Sequence, residues 1–553
     1  MPLLAQITGR PGCAKTTRLL DICEKVLAEL RDPRLVGFSS LTRASRHVAA
    51  ERAASKFNMR LADLEVGGYY KTLHSLAFHG LGIKQNDLLA GKKADREWLQ
   101  EVLQEGVNSE AKSIEHDYGG EGWTSEASDA DKALSIWDVA RNRLTSLATI
   151  HAEVERTDDK TPPFVFCRSL AARYETAKRV HHRLDFTDLL TKFGGQWCDL
   201  GGAEACSPDG EAPDLPVWFF DESQDFSALD AAVIRRLIGQ PSCRWVYFAG
   251  DDRQEIYSFR GADRRIFRDA FTYAKRDILP VSYRCPAPVW DLAEQVIRGT
   301  SDFEQDHVHP ASHPGSVEVR EVSALADIIN PAEDWLVLAR TNFLAGLLSK
   351  ALDAAGVPWV ATRGGSHWNA PVRNAAVQAL SNTQHGAPLD GGEWRAVCKL
   401  MPSKIPEGEL LIRGTKTRFE HLDDAQDRFP WVMLSELELL GATPLLMQVI
   451  ASGRWPSLLD GADRYLDAVA RWGEEVVTQP KVRISTIHGA KGMEADNVAL
   501  LTTLSAPCYR GAQTTEGHDS EQRLFYVAVT RAKRRLVVLN ERRPRFRKKM
   551  PCD

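Results

Sequence analysis

Ile7-Thr8-Gly9-Arg10-Pro11-Gly12-Cys13-Ala14-Lys15-Thr16-Thr17 is the stretch that decides how the rest of the chain is read. Leu3, Leu4, Ala5 and Ile7 form a short apolar run, Gly9, Pro11 and Gly12 break it, and Lys15 opens a helical pattern. A buried strand, a glycine loop and a helix N-terminus in that order make a phosphate cradle. Backbone N–H groups and the positive helix end surround the anion, Lys15 reaches the terminal phosphates, and the Thr16 hydroxyl takes one Mg²⁺ position. One position departs from the pattern G-x-x-x-x-G-K-[ST]: Ala14 stands where glycine is expected. Alanine is tolerable there if φ is negative and costly if the loop needs φ > 0. The plainer alternative is an ordinary strand–turn–helix carrying a chance lysine.

Composition sets the outer bounds. At 553 residues the chain has room for several domains. It is 43% hydrophobic and 26% charged, an ordinary globular balance, with no stretch apolar for long enough to span a bilayer. Residues 1–8 lack a basic region ahead of a long apolar stretch, so no secretory signal is expected. The ten cysteines are scattered without C-x-x-C or Cys/His spacing, which points to a reducing, cytoplasmic setting and away from zinc. With a net charge of −5, contact with nucleic acid must come from a local basic groove.

Further junctions of the same kind follow. Lys15–Leu30 reads as a helix with Leu19, Leu20, Cys23, Val26, Leu27 and Leu30 on one face. Leu35–Phe38 reads as a strand, and Ser39–Arg43 leads into a helix running to about Lys56. The hydroxyls there, with Arg43, suit a nucleic-acid phosphate or a plain helix cap. Tyr69–Ser75 is another strand-to-helix junction, in which His74 taken alone reads as structural. Residues 80–180 read as a helical insertion, with helices over Asp95–Gln104, Asp131–Leu147 and Phe166–His181 and a Gly-rich loop over Asn108–Ser128.

Pro216–Phe220 is a continuous apolar run ending in Asp221-Glu222-Ser223-Gln224-Asp225. A buried parallel strand of this kind delivers its acids to the crevice where open α/β sheets bind ligands. Asp221 then holds the Mg²⁺ shell while Glu222 accepts the proton of an attacking water; an acidic helix cap is the plainer reading. A third strand, Arg244–Ala249, runs into Gly250–Ala262, where Gln254 and the pair Phe259–Arg260 suit a nucleotide phosphate and a stacked base. In Glu521–Lys533, Leu524, Val527 and Ala528 repeat at helical spacing, and Arg531 falls on the same face. An arginine on an apolar face asks for an anion, supplied by a nucleotide or by an internal salt bridge.

In this order, GRPGCAKT, TLHS, DFTDLL, DESQD and GDDRQEIYSFRGA resemble the ATPase core of superfamily-one DNA helicases of the UvrD/Rep/PcrA type. Val281–Pro286, Ile484–Glu494 and Tyr526–Lys533 add the second-half motifs, and Gly364–Trp368 resembles the junction with the accessory insertion. The resemblance implies an α/β fold: two RecA-like parallel-sheet motor domains in tandem, each with a mostly helical insertion. The expected boundaries are 1–79 with 182–280 for the first motor domain and 80–181 for its insertion. They are 281–369 with 480–553 for the second and 370–479 for the accessory insertion.

The resemblance further implies ATP and Mg²⁺ as cofactors. Gly9, Gly12, Lys15, Thr16, Thr17, Tyr283, Gly492 and Glu494 would hold the nucleotide, with Tyr283 on the adenine and Glu494 on the ribose. Thr16 and Asp221 would hold the metal. Glu222 would be the general base, Gln254 the γ-phosphate sensor, and Arg284 and Arg531 the arginine fingers. Thr42, Arg43, Thr72, His74, Phe259, Thr486 and His488 would touch DNA. The activity implied is a single-stranded DNA translocase and helicase moving 3′→5′. It would act on single strands and single-/double-strand junctions, as a monomer, alongside replication or recombination proteins.

The pattern is incomplete in places. Eight residues precede Gly9, leaving no room for the family's upstream adenine-reading glutamine motif, so weak preference for ATP over other NTPs is expected. Phe259 stands where tryptophan is usual, and the accessory insertion is short. The compact chain also hints at a phage or mobile-element origin. Three other functions fit parts of the sequence: a translocase that strips proteins without unwinding, a small-molecule phosphotransferase, and a nucleotide-gated DNA-binding module. Trp394, Trp431, Trp455 and Trp472 read as core, and the basic run Arg542–Lys549 as a solvated tail or a DNA-backbone grip.

Overall fold

The computed structural model describes residues 2–40, 43–107, 128–156, 158, 160–362, 365–420 and 431–541, without the side chains of 43–45. Thr42, Gly364, most of the Asn108–Ser128 loop and the basic tail lie outside the described residues, as does the Arg43 side chain.

Two six-stranded, all-parallel sheets carry the molecule. The first runs, in spatial order, Tyr69–Tyr70, Val36–Ser40, Val217–Asp221, Trp245–Gly250, Leu3–Thr8 and Lys275–Ile278. Its central strand is VWFFD, buried along its whole length as a strand covered on both faces must be. Trp218 lies against the neighbouring strand, where a Cβ at Gly37 would stand 2.2 Å from its ring. Only glycine leaves that ring its space.

The second sheet runs Ser316–Glu321, Ala532–Asn540, Ala495–Leu501, Trp335–Ala339, Val482–Thr486 and Val360–Ala361. Its member Trp335–Ala339 is likewise fully buried. The α/β architecture with two parallel-sheet units is therefore the one expected.

Two sets of helices have cores of their own. Helices including Lys93–Leu103, Asp129–Asn142, Leu147–Glu155 and Phe164–Val180 close around Trp137, Leu99 and Leu170. The helix expected over Asp131–Leu147 stops at Asn142, and Ser146 caps a second helix, Leu147–Glu155, through Thr149 N. Residues between 368 and 477 pack around Trp368, Trp394 and Trp455. Trp431, expected in that core, is instead 63% exposed.

DFTDLL ties the first helical set to its sheet. Asp185 and Asp188 form a capping box, and their carboxylates take Arg141 and the Lys178 ammonium at 2.7–3.1 Å. These buried acids have cations of the protein's own, an arrangement costly to break one partner at a time. Among the described residues, no helix is long and apolar enough to cross a membrane.

Candidate nucleotide and strand sites

Register brings the phosphate loop to the acids. Thr8 pairs with Gly250 and Ser40 with Asp221, so the loops after these four central strands open at one edge. Gly12 has φ +77°, and a Cβ there would lie 2.4 Å from the Arg284 Cβ. Ala14 also adopts the left-handed region, with φ 60° and ψ 37°, immediately before the helix Lys15–Leu30. The loop does need φ > 0 there, and a side chain in that region costs about 1–2 kcal/mol.

Lys15 Nζ donates to the carbonyls of Gly9 (2.7 Å) and Arg10 (3.3 Å), ready at the loop's mouth. Thr16 Oγ1 donates to Asp221 Oδ2 at 2.9 Å. This hydroxyl and carboxylate, side by side at a helix start, are the oxygen donors a Mg²⁺ ion accepts. Thr17 is exposed on the first turn.

Glu222 sits in a left-handed turn (φ 54°, ψ 40°) between the strand and a short 3₁₀ segment. Gln224 Nε2 donates to its Oε2 at 2.6 Å, and Gln224 Oε1 accepts from Asp251 N at 3.1 Å. Burial alone would raise the Glu222 pKa, but Lys491, Lys15, the Gln224 bond and Arg531 outweigh it and hold the carboxylate below its ordinary value. An ionised carboxylate suits a general base. Buried Asp251 accepts from Gln254 Nε2 at 2.7 Å, linking the two acidic motifs.

The far wall comes from the second half of the chain. Tyr283 N donates to Gly12 O at 2.8 Å, and Ser282 Oγ to Pro11 O at 2.8 Å, stitching the strand Val281–Pro286 to the phosphate loop. The Tyr283 side chain remains exposed at the rim. Arg284 Nε donates to Glu494 at 2.7 Å, and Lys533 pairs with the same carboxylate at 2.7 Å. Burial would raise the Glu494 pKa, but Arg284 and Lys533 hold it down. Gly492, at φ +80°, turns the loop that carries Glu494.

Arg531 is 2% exposed. Its Nη2 donates to Gln254 Oε1 (3.1 Å), its Nε to Val527 O (2.8 Å) and its Nη1 to Met493 O (3.2 Å). No carboxylate pairs with it among the described residues. Burial and the neighbouring Arg284 push its pKa down to about 9, leaving it protonated at neutral pH. A buried cation supplied with neutral acceptors alone lacks an anion.

Its place in the chain differs from expectation. The helix Thr515–Val529 ends before Arg531, with Thr530 as C-cap, and Ala532 already belongs to a strand. The arginine therefore lies in the turn between them.

The strand-contact candidates fall into two groups. Phe259 lies edge-to-face on His488 at 5.4 Å between ring centroids, so one residue from each half meets there. His488 is buried, its Nδ1 has no partner among the described residues, and burial, with Arg340 and Lys491 adding, drives its pKa well below the ordinary value. Thr486 is buried and accepts from Gly489 N at 3.1 Å. Thr72 and His74 form the other group, where Thr72 caps the helix Leu73–Gly80 through Ser75 N at 3.2 Å. His74 stands edge-on to Phe186 with Nε2 unpartnered among the described residues, and burial then Arg260 lower its pKa to about 4.

Two charges, Arg10 and Lys491, have contacts that their sequence context did not show. Arg10 lies buried over Trp290 and pairs with Glu294 and Asp306, anchoring the phosphate loop to a later segment. Lys491 Nζ binds Asp225 Oδ1 at 2.6 Å. Asp225 is in turn pushed up to about 7 by burial, against the pull of Lys491. The one available signal was position: Arg10 sits inside a glycine loop and Lys491 between glycines.

Two family descriptions match the chain: the UvrD/REP helicase N-terminal domain over residues 5–273 and the UvrD-like helicase C-terminal domain over residues 470–542. The ATP-dependent DNA helicase UvrD2 of Mycobacterium tuberculosis (strain H37Rv) is 28% identical over 381 residues, covering 63% of this chain and 50% of that protein. A putative ATP-dependent DNA helicase of Bacillus subtilis (strain 168), YjcD, is 23% identical over 449 residues, covering 66% of this chain and 56% of the relative. The RecB subunit of the RecBCD enzyme of Mycolicibacterium smegmatis is 29% identical over 141 residues, 24% of this chain and 12% of that subunit. The chain thus spans about half the length of the two helicase relatives it matches. Two parallel sheets facing one phosphate loop, with both terminal domains matched in order, place the chain in the UvrD/Rep/PcrA-type helicase family.

Proposed function

We propose that the chain is an ATP-driven, single-stranded-DNA-stimulated motor that steps 3′→5′ and unwinds duplex at a junction. Its motor domains would be 1–79 with 182–280 and 281–369 with 480–553, and 80–181 and 370–479 their insertions. The contact between Arg531 and Gln254 carries the reading, because it sets a buried, anion-seeking guanidinium from one half against the polar residue beside the acids of the other. The naming of its helicase relatives supports the substrate class.

ATP would lie between the halves, with its triphosphate on Gly9, Gly12, Lys15 and Thr16, its adenine on exposed Tyr283 and its ribose near Glu494. Mg²⁺ on Thr16 and Asp221 supplies charge neutralisation to the phosphate oxygens. Glu222 takes the proton of the in-line water, and Gln254 senses the γ-phosphate. Arg284 and Arg531 stabilise the charge that develops on the transferring group. An incoming phosphate would compete with Glu494 for Arg284 and fill the anion deficit at Arg531. Closure on ATP and opening after hydrolysis would move the Thr486–His488 grip relative to Thr72, His74 and Phe259.

A cytoplasmic monomer working beside replication or recombination proteins completes the proposal. Phosphate release with and without single-stranded DNA, for the native chain and Glu222→Gln, tests it. The expected result is strong stimulation that the variant abolishes. Turnover indifferent to DNA would point to a phosphotransferase, and binding without release to a gated DNA-binding module. A strand-displacement assay alongside separates unwinding from bare translocation.

A further inference from the structure

Lys491 belongs to the second half of the chain, yet its ammonium is bound entirely by the first. Nζ donates to Asp225 Oδ1 at 2.6 Å and to Gln254 O at 2.8 Å, and lies 4.8 Å from the Tyr257 ring centroid. Its side chain is 5% exposed.

Each contact leads somewhere. Asp225 closes the turn that Glu222 begins, its N–H donating to Glu222 O at 3.2 Å. Between them, Gln224 holds the Glu222 carboxylate and receives Asp251 N. Gln254 is the residue whose side chain meets Arg531.

On its own side, Lys491 N donates to His488 O at 3.2 Å, Ala490 N to Thr486 O at 3.0 Å, and Met493 N to Ala490 O at 3.0 Å. The loop is one hydrogen-bonded turn, and His488 at its start packs on Phe259 and, at 6.4 Å, on Tyr257. The network is contiguous from the proposed strand grip to the proposed base.

We propose that Lys491 is the positioning residue through which an occupied DNA strand sets the geometry of Glu222, its ammonium carrying movement of the His488 loop into the Asp225 turn. This rests on the strand-stimulated reading above. Leaving a buried ammonium without its carboxylate is expensive, so a shift of the loop must draw Asp225 with it. Such a coupling is a physical path only if both ends bias it, which the experiment asks directly.

The test uses the full chain, an oligo-dT strand and the variants Lys491→Met, Lys491→Arg, Asp225→Asn and the Met/Asn double. Stimulated kcat and the KM for ATP come from phosphate release, oligo-dT affinity from fluorescence anisotropy, and folding from thermal unfolding. Lys491→Met is expected to lower the stimulated kcat about tenfold or more, with the KM and the oligo-dT affinity within about twofold of native. Asp225→Asn should do the same, the double variant should be no worse than the poorer single, and Lys491→Arg should recover part of the loss.

Full stimulation in Lys491→Met would overturn the proposal. So would a fall in oligo-dT affinity that matches the fall in rate, since Lys491 would then be a strand ligand. If Lys491→Met does not fold, Asp225→Asn removes the same ion pair and carries the same expectation. A native chain indifferent to oligo-dT overturns the motor reading itself, an outcome read before any variant is made.

Discussion

Arg531 Nη2 lies 3.1 Å from Gln254 Oε1, joining residues 277 positions apart across the cleft that opens over the phosphate loop. Arg531→Ala is therefore expected to lower stimulated turnover by about a hundredfold or more while ATP binding changes far less. Arg531→Lys should recover little. One ammonium cannot replace a planar fork that reaches Gln254, Met493 O and Val527 O together. Phosphate release compared with fluorescent-nucleotide binding checks both, and an undiminished rate in Arg531→Ala would remove this residue from the chemistry.

Ala14 holds φ 60° without glycine's freedom. Relief of that strain by Ala14→Gly is partly offset by the larger entropy of the unfolded chain, leaving a net gain of roughly 0.5–1 kcal/mol. Ala14→Val should lose stability, since a branched Cβ is worse placed still. Thermal unfolding with and without nucleotide orders the three chains. Val above Ala in that order would contradict the left-handed geometry.

Gly37→Ala drives a methyl into the Trp218 ring, 2.2 Å from where its Cβ would sit. Overpacking of this kind costs about 1–3 kcal/mol. Pairing it with Trp218→Leu should be less damaging than the sum of the two single changes, because the smaller side chain vacates the space. Additive losses in denaturant titrations would mean the two residues do not meet.

His74 titrates at about 4 in the folded chain, against about 6.5 for an ordinary histidine, because burial and Arg260 disfavour its charged form. Between those values the unfolded chain binds the proton and the folded chain does not. Stability from this site is thus complete above about pH 6.5 and declines as pH falls toward 4. His74→Gln should lose less melting temperature between pH 7 and pH 5 than the native chain. Equal losses would show that the ring takes up its proton alike in the folded and unfolded chain.

The phosphate loop was legible because backbone geometry restricts which residues fit it: Gly12 faces Arg284 at a distance no side chain tolerates. The strand VWFFD was legible because burial on both faces leaves no polar alternation. The end of the last long helix was not. Leu524, Val527 and Ala528 continue a helical period, yet Thr530 turns its hydroxyl back to Tyr526 O at 2.8 Å, and Ala532 pairs with Ala495 in a parallel strand. Pairing with distant residues overrode local preference. Lys491 and Asp225, 266 positions apart, each look like a solvated charge until folding puts them together. Trp431 shows the converse, an aromatic that local context assigned to a core and the fold leaves outside.

The order of the strands has a consequence for synthesis. All six members of the first sheet have left the ribosome once Ile278 has, whereas the second sheet waits for Ala495–Leu501 and Ala532–Asn540, two strands in its middle. A growing polypeptide thus owns the proposed phosphate-binding side of the site, Lys15 with Asp221 and Glu222, long before it owns the arginine that faces it. Stalled nascent chains ending short of that point should capture nucleotide and leave it whole.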